Sequence, residues 1–302
     1  LNPEEYLKLF LFIHEKNGTR NLILDSRRRR VKNAYFLCCN FLFKIPYFYV
    51  LNANFANKMQ VMEKYRIPMV PGPVAVPPEI LEVAAFNYGS PDLEDDYITL
   101  YKSTEKALQK IMHTRHKIVI QTGEGMLALW SALKSTLLPG DKVLALSTGL
   151  FGYGIGMMAE TLGCEVKIMD FGFNESIREF ELVEKAIREF RPKMITMVHS
   201  ETPSGTINPV DQIGILKEKY EIPLLYVDAV SGIGGSLVKT DDWHIDFCLG
   251  ASQKCLSAPA NMAFLSISEK AWEIIEEVGY VGYEALQPVS YTHLTLPTNS
   301  RV

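Results

Sequence analysis

Hydrophobic and polar positions form two alternating kinds of segment between residues 59 and 289. The first kind is short and apolar along its whole length, which is typical of a strand in a sheet covered on both faces. These segments predict strands over residues 116–122, 142–148, 165–171, 194–201, 223–230, 245–249 and 262–267.

The second kind lies between the predicted strands and has apolar residues at helical spacing. It predicts helices over residues 125–137, 151–162, 177–190 and 211–220, with Gly163 as the cap that ends the second helix. Repeated strand–helix alternation predicts an α/β fold with a mostly parallel seven-stranded sheet and helices on both faces. In such a sheet, functional groups gather at the carboxyl ends of the strands.

The amino-acid composition argues against several classes of binding partner for this protein. The chain has 302 residues and a formal net charge of −4, so it lacks the basic excess that favours nucleic acid or acidic lipid. Its five cysteines are odd in number and have no metal-ligand spacing, which indicates reduced thiols. We therefore expect a cytoplasmic protein with no nucleic-acid partner, no membrane partner and no metal site.

The two ends of the chain differ from the region between them. Residues 1–58 contain a basic cluster before an apolar stretch that holds Asn40, Lys44 and Pro46. A membrane anchor is one interpretation. Sequence read through to a true start at Met59 or Met62 is the other, and it is favoured because regular alternation begins only there. Residues 290–302 match neither a strand nor a helix pattern, and we expect them to be foreign to the domain. The expected domain is therefore 59–289.

The first strand ends in a glycine-rich turn that opens a helix. Gly123 and Gly125 bracket Glu124 at this point. Free N–H groups at a helix start suit a phosphate, although an ordinary glycine turn has the same sequence.

The second strand ends in STGLFGYGIG, which has two interpretations. Gly152 and Gly154, with Asp170 at the end of the next strand, resemble a dinucleotide-binding pattern. The spacing is G-x-G-x-G rather than G-x-G-x-x-G, so close packing of a helix through small residues is favoured. Phe151 belongs either to the core or to a stacking surface for a flat ring.

Three further strand ends carry polar candidates. His199, Glu201, Thr202 and Ser204 cluster after the fourth strand. Asp228 ends the fifth strand, where a buried carboxylate needs a partner: a helix N-terminus, a salt bridge, or a protonated ring nitrogen. Lys254 lies between the last two apolar runs, where a desolvated amine becomes nucleophilic.

Four of these features occur in the order that a pyridoxal-phosphate (PLP) site requires. They are a phosphate-binding helix start, a flat ring partner, an acid for the pyridinium nitrogen and a lysine for the Schiff base. The residues are Gly123 to Met126, Phe151, Asp228 and Lys254.

The chain resembles the class V PLP-dependent aminotransferases, and within them the alanine–glyoxylate and serine–pyruvate group. The resemblance rests on the stretches VPGPVAVPP (70–78), TGEGMLALWSAL (122–133), HSETPSGTINP (199–209), YVDAVSGIGG (226–235) and GASQK (250–254). It implies the large domain of a fold-type I PLP enzyme that acts as a homodimer on small amino acids and 2-oxo acids.

The resemblance also implies residue roles. Lys254 would form the Schiff base and Asp228 would face the ring nitrogen. Phe151 and Val230 would pack on the two faces of the ring, and Thr202 would lie near its phenolic oxygen. The phosphate would contact Glu124, Gly125, Met126 and Gln253.

Two departures from the family qualify these roles. Glu124 and Met126 stand where some relatives have serine and histidine, so only backbone contacts to phosphate are expected there. Relatives also continue into a small C-terminal domain whose arginine binds the substrate carboxylate, and we expect that domain to be absent here.

Four functions remain in competition at this point. The first is a transaminase that moves an amino group from alanine or serine to glyoxylate or pyruvate. The second is a transaminase of 2-aminoethylphosphonate or another small amine. A nicotinamide-dependent dehydrogenase and an inactive fragment are the alternatives of other classes.

Overall fold

The structure is a computed structural model that describes residues 70–86 and 94–287. The expectations for residues 1–58 and 290–302 therefore lie outside the described residues. Within the two described ranges, every helix is too short or too polar to span a lipid bilayer.

A seven-stranded sheet forms the centre of the described region. The strands are β1 Lys117–Thr122, β2 Lys142–Ser147, β3 Glu165–Asp170, β4 Met194–Val198, β5 Leu224–Asp228, β6 Phe247–Ala251 and β7 Met262–Ile267. Their order across the sheet is β1-β7-β6-β5-β4-β2-β3. Only β7 runs against its two neighbours, and the other pairings are parallel. The prediction of a mostly parallel seven-stranded sheet is confirmed.

Helices cover both faces of this sheet. They are α1 Pro78–Val83, α2 Asp95–Ile111, α3 Gly125–Thr136, α4 Leu150–Thr161, α5 Phe180–Phe190, α6 Val210–Lys219 and α7 Glu269–Val278. One core cluster lies between the sheet and α2, α5 and α6. The other lies between the sheet and α3, α4 and α7. Because strand side chains alternate between faces, each strand contributes to both clusters, which explains its continuous hydrophobicity.

Two boundaries differ from the sequence prediction by three residues each, and the other boundaries differ by two residues or fewer. The helix predicted over 177–190 begins only at Phe180. The strand predicted over 194–201 ends at Val198, because the chain then turns back on itself. Ser200 pairs with Ile207, and the Glu201 N–H donates to the Thr206 carbonyl at 2.8 Å.

The topology brings the candidate residues to one edge of the sheet. β1, β2, β4, β5 and β6 all point the same way, so their carboxyl ends lie along a single edge. We call this the carboxyl edge. Asp228 lies at its centre, since β5 is the middle strand of the seven.

Candidate active site

The turn after β1 places a helix start at the carboxyl edge. Gly125 is the first residue of α3, and exposed Glu124 precedes it in an extended conformation. The first N–H groups of a helix have no carbonyl partner within that helix, so they are free to bind an anion. A Cβ at Gly125 would lie 3.1 Å from Val230 Cγ2 and 3.4 Å from Ala251 Cβ. Glycine therefore lets the helix start approach the ends of β5 and β6.

The side chain of Met126 packs elsewhere. It is half-buried against the core cluster under α3. Only the backbone of Met126 is therefore available at the helix start. This agrees with the expectation that methionine, standing where some relatives have histidine, offers the phosphate only backbone contacts.

The turn after β2 carries Phe151 in the first turn of α4. Its ring is half-buried against the core cluster beside α3 and α4. The following glycines serve close packing: a Cβ at Gly152 would lie 2.9 Å from Ser147 Cα, and one at Gly156 would lie 2.9 Å from Ile168 Cδ1. Close packing thus accounts for Gly152 and Gly156, whereas a Cβ at Gly154, the second glycine of the dinucleotide interpretation, would meet nothing within 4 Å.

The turn after β4 buries two of the four predicted polar residues. Glu201 is fully buried, and His199 is 2% exposed. Burial lowers the pKa of His199, and its Nδ1 has no hydrogen-bond partner within the described residues. Thr202 is half-buried, and its hydroxyl lies 2.5 Å from that of Ser231. The Thr202–Ser231 bond links the turn after β4 to the turn after β5.

Asp228 is a buried carboxylate without an ion-pair partner in the described part of the chain. It is 5% exposed, and its Oδ1 accepts one hydrogen bond from the Val230 N–H at 2.9 Å. Burial raises the pKa of Asp228 to about 7; the nearby charge of Glu201 adds to this, while the Val230 bond and Lys254 oppose it. A cation placed against this carboxylate would be strongly stabilised.

Lys254 is the buried amine of the same edge. It is 9% exposed, and its Nζ donates to the Gly72 carbonyl at 3.3 Å. Burial lowers the pKa of Lys254, although the charges of Asp228, Cys255 and Glu124 oppose the shift. A lysine in this condition has a larger unprotonated fraction and is a better nucleophile.

The segment around Gly72 packs directly on Lys254. A Cβ at Gly72 would lie 2.6 Å from Lys254 Cδ and 2.8 Å from the Gln253 carbonyl. The Val74 N–H donates to that same Gln253 carbonyl at 3.2 Å. The Gln253 side chain is buried, and its Oε1 has no partner within the described residues.

The structure thus joins several residues that the sequence predicted separately. Gly125 packs against the side chain of Val230, and the Val230 N–H donates a hydrogen bond to Asp228. Asp228 in turn interacts electrostatically with Lys254. Gly72, Glu201 and Ser231 also lie in this arrangement, but the sequence prediction gave them no role. Only the PGP stretch around Gly72 and the polar cluster around Glu201 were signals that pointed toward them.

Comparison with known proteins places this geometry in a family. The model for aminotransferase class V matches residues 82–300 of the chain. The chain belongs to the class V aminotransferases. It is 35% identical over 220 residues to an uncharacterized aminotransferase of Methanocaldococcus jannaschii, which covers 72% of this chain and 56% of that protein.

Two named relatives are similar to the same region. The (S)-ureidoglycine–glyoxylate transaminase of Bacillus subtilis is 31% identical over 221 residues, which is 73% of this chain and 52% of the relative. The alanine–glyoxylate aminotransferase of Oryctolagus cuniculus is 30% identical over 210 residues, with 68% and 52% covered. The chain spans about half the length of these curated relatives.

A solved structure agrees with the fold. The crystal structure of ureidoglycine–glyoxylate aminotransferase from Bacillus subtilis superposes with a TM-score of 0.70 at 30% identity. The match covers 74% of this chain and 58% of that chain. The fold is therefore that of the fold-type I PLP aminotransferases, as the resemblance implied.

The residues of the carboxyl edge fit PLP, the cofactor of this family. A buried carboxylate suits a protonated ring nitrogen, a nucleophilic lysine suits an aldehyde, and a helix start with free N–H groups suits a phosphate. Asp228, Lys254 and Gly125 supply these three features. The unpartnered Oε1 shows that the buried amide of Gln253 has hydrogen-bonding capacity left for a ligand.

Proposed function

We propose that this protein is a PLP-dependent transaminase that transfers an amino group from alanine or serine to glyoxylate or pyruvate. One observation carries the proposal: a buried lysine of lowered pKa lies in the electrostatic field of a buried carboxylate at the carboxyl edge. Membership of the class V aminotransferases supports the reaction type.

The proposed roles follow from the environment of each residue. When bound, PLP supplies an aldehyde and an electron-withdrawing ring. Asp228 would balance the positive charge of the ring nitrogen, and the start of α3 would hold the phosphate through the backbone of Glu124, Gly125 and Met126. Phe151 and Val230 would confine the ring, and Thr202 would be placed near its phenolic oxygen.

Lys254 has two proposed tasks. Its unprotonated Nζ would bind the aldehyde of the cofactor. Once the substrate amine has taken its place, the same nitrogen would accept the proton from the substrate Cα and deliver it to the C4′ carbon of the cofactor. The Gly72 carbonyl gives this amine a fixed hydrogen-bond partner at 3.3 Å. Burial favours both tasks because it lowers the pKa of Lys254.

The names of the relatives support glyoxylate as the amino acceptor more strongly than they support alanine or serine as the amino donor. Glyoxylate occurs in the names of two relatives, whereas the donors in those names are ureidoglycine and alanine. Alanine or serine as the donor therefore rests on the resemblance of the five sequence stretches. A homodimer and a cytoplasmic location are parts of the same proposal.

Cofactor binding and turnover are tested by separate experiments. Purified protein with added PLP is expected to develop a lysine-dependent absorbance band in the near-ultraviolet or visible region. Lys254→Ala is expected to abolish the band, and Lys217→Ala, which removes a half-buried lysine far from the carboxyl edge, is expected to retain it. A protein without such a band contradicts the proposal.

A donor–acceptor panel then tests the substrates. Alanine, serine, ureidoglycine and 2-aminoethylphosphonate are each paired with glyoxylate and with pyruvate. The proposal expects the highest rate with alanine or serine. A preference for 2-aminoethylphosphonate would retain the cofactor assignment and overturn the substrate assignment.

A further inference from the structure

Glu201 is a buried acid at the carboxyl edge that the proposed chemistry leaves without a role. It is fully buried after β4, close enough to Asp228 for the two charges to interact. Two hydrogen bonds fix the backbone of Glu201: its N–H donates to the Thr206 carbonyl, and its carbonyl accepts from the Gly205 N–H at 2.7 Å. The Cα from which the side chain extends is therefore held in place.

The carboxylate of Glu201 caps a helix from a distant loop. Oε1 accepts from the Phe151 N–H at 2.9 Å, and Oε2 accepts from the Gly152 N–H at 3.2 Å. Both N–H groups belong to the first turn of α4 and have no carbonyl partner within it. The residue at the local cap position is Gly149, which has no side chain to accept them. A negative charge here also complements the positive end of the helix dipole.

Gly149 provides the space for this contact. A Cβ at Gly149 would lie 2.6 Å from Glu201 Cγ and 2.8 Å from Glu201 Cδ. Its φ of 169° is extended backbone that any residue adopts, so the requirement for glycine is one of space. Even alanine would displace either the carboxylate or the start of α4.

We propose that Glu201 is a positioning residue: its carboxylate fixes the first turn of α4, and thereby holds the Phe151 ring against the cofactor, while Gly149 makes room for it. The inference rests on the proposed function, since it needs a cofactor beside Phe151. The directness of the contact supports it, because the carboxylate binds the backbone N–H of Phe151 itself.

The test compares three variants with a matched control. Glu201→Ala removes both acceptors, Glu201→Gln keeps one, and Gly149→Ala displaces the carboxylate. Ser268→Ala is the control, because Ser268 caps α7 through the Ala271 N–H at 3.1 Å and lies at the opposite edge of the sheet. Three quantities are measured: amide hydrogen exchange of residues 150–153 without cofactor, the affinity for PLP, and the visible circular dichroism of bound PLP.

The inference predicts a graded result. In Glu201→Ala, exchange at Phe151 and Gly152 accelerates by about tenfold or more, and the PLP dissociation constant rises by about tenfold, as expected for loss of hydrogen bonds to a charged group. The circular dichroism of bound PLP weakens, since the stacked ring is less ordered. Glu201→Gln recovers part of each effect, Gly149→Ala resembles Glu201→Ala, and Ser268→Ala leaves all of them unchanged.

Two results would overturn the inference. Unchanged exchange at residues 150–153 would show that Glu201 does not hold the helix start. Faster exchange with unchanged PLP affinity and circular dichroism would show a cap with a purely structural role. Failure of the unmodified protein to bind PLP is a different outcome, which overturns the proposed function and the cofactor part of this inference. The exchange experiment would still show whether Glu201 fixes the first turn of α4.

Discussion

Comparison of Lys254 with Lys217 shows what is unusual about the environment of Lys254. Lys217 is also largely buried, at 11% side-chain exposure, but it pairs with Asp246 at 3.3 Å and with Glu218 at 2.8 Å. Burial alone would lower the pKa of Lys217, yet these carboxylates outweigh it and raise the pKa. Lys254 has no such ion pair among the described residues, and its pKa is lowered. Low exposure without a paired carboxylate is what distinguishes a nucleophilic lysine from a structural one.

The raised pKa of Asp228 predicts a specific pH dependence of stability. Its pKa is about 7 in the folded protein, above the usual 3.8, so the folded state holds this proton more tightly than the unfolded state. The contribution of Asp228 to stability is therefore present at low pH and is lost as pH rises from about 4 to 7. The loss is at most about 1.4 kcal/mol per pH unit for a single proton.

Urea unfolding without PLP measures this effect. The free energy of unfolding of the unmodified protein, minus that of Asp228→Asn, is expected to fall as pH rises across this range. Asp242→Asn, which removes a carboxylate that is 70% exposed, controls for the change in net charge. If the unmodified protein and Asp228→Asn show parallel curves, the raised pKa is wrong.

The sequence predicted site residues where an isolated polar side chain interrupts a buried pattern. Lys254 and Asp228 stand out in this way, since each follows an apolar run. Glu201 and Gly72 do not, because their partners are far away in the chain. Glu201 caps a helix start some fifty residues earlier, and Gly72 packs on a lysine 182 residues later. Contacts of this kind depend on the assembled sheet.

At the scale of elements, α4 lies close to the sheet because of its glycines. Gly152 and Gly156 face β2 and β3, whereas a Cβ at Gly154 would meet nothing within 4 Å. Gly152 and Gly156 therefore serve close packing, whereas Gly154 does not, although the three glycines are evenly spaced. This difference allows the packing interpretation to be tested within a single helix.

Alanine substitutions at two of these glycines are predicted to have opposite effects. Gly152→Ala places its methyl group 2.9 Å from the Ser147 backbone and should destabilise the protein by about 1–3 kcal/mol. Gly154→Ala adds a methyl group in open space within a helix and should stabilise it by about 0.5–1 kcal/mol. Urea unfolding of the two variants measures both values. Equal effects at the two positions would contradict close packing as the reason for Gly152.

The sequence predicted the central strands better than the peripheral helices. Buried strands are apolar on both faces, so each stands out as a continuous run. The helix α2 is absent from the sequence prediction because most of its residues are polar, and only Tyr101 and Leu108 in it are buried. The helix α7 is absent too, although Ser268 and Gly279 cap its two ends and were signals in the sequence.

At the scale of the whole molecule, the order of strands explains how distant sequence stretches form one site. The turns after β1, β2, β4, β5 and β6 contribute to the carboxyl edge, and β7 runs the other way between β1 and β6. The turn before β7 also lies at this edge, where Asn261 accepts a hydrogen bond from the Gly123 N–H at 2.9 Å. The antiparallel strand thus helps to hold the start of α3 in place.

The proposed homodimer makes a prediction about mass. Light scattering after size-exclusion chromatography is expected to give twice the 34.1 kDa of a single chain. Added PLP should not lower this mass. A mass of one chain, unchanged by PLP and by protein concentration, would overturn the homodimer.

Lys254 is the residue proposed to bind the cofactor covalently. Its most direct test is borohydride reduction of the full chain with bound PLP, followed by proteolysis and mass spectrometry of the peptides. We expect a pyridoxyl group on Lys254 at a stoichiometry near one per chain, with exposed lysines such as Lys185 modified only in trace amounts. Absence of label on Lys254, or label spread evenly over exposed lysines, would show that Lys254 does not bind the cofactor covalently.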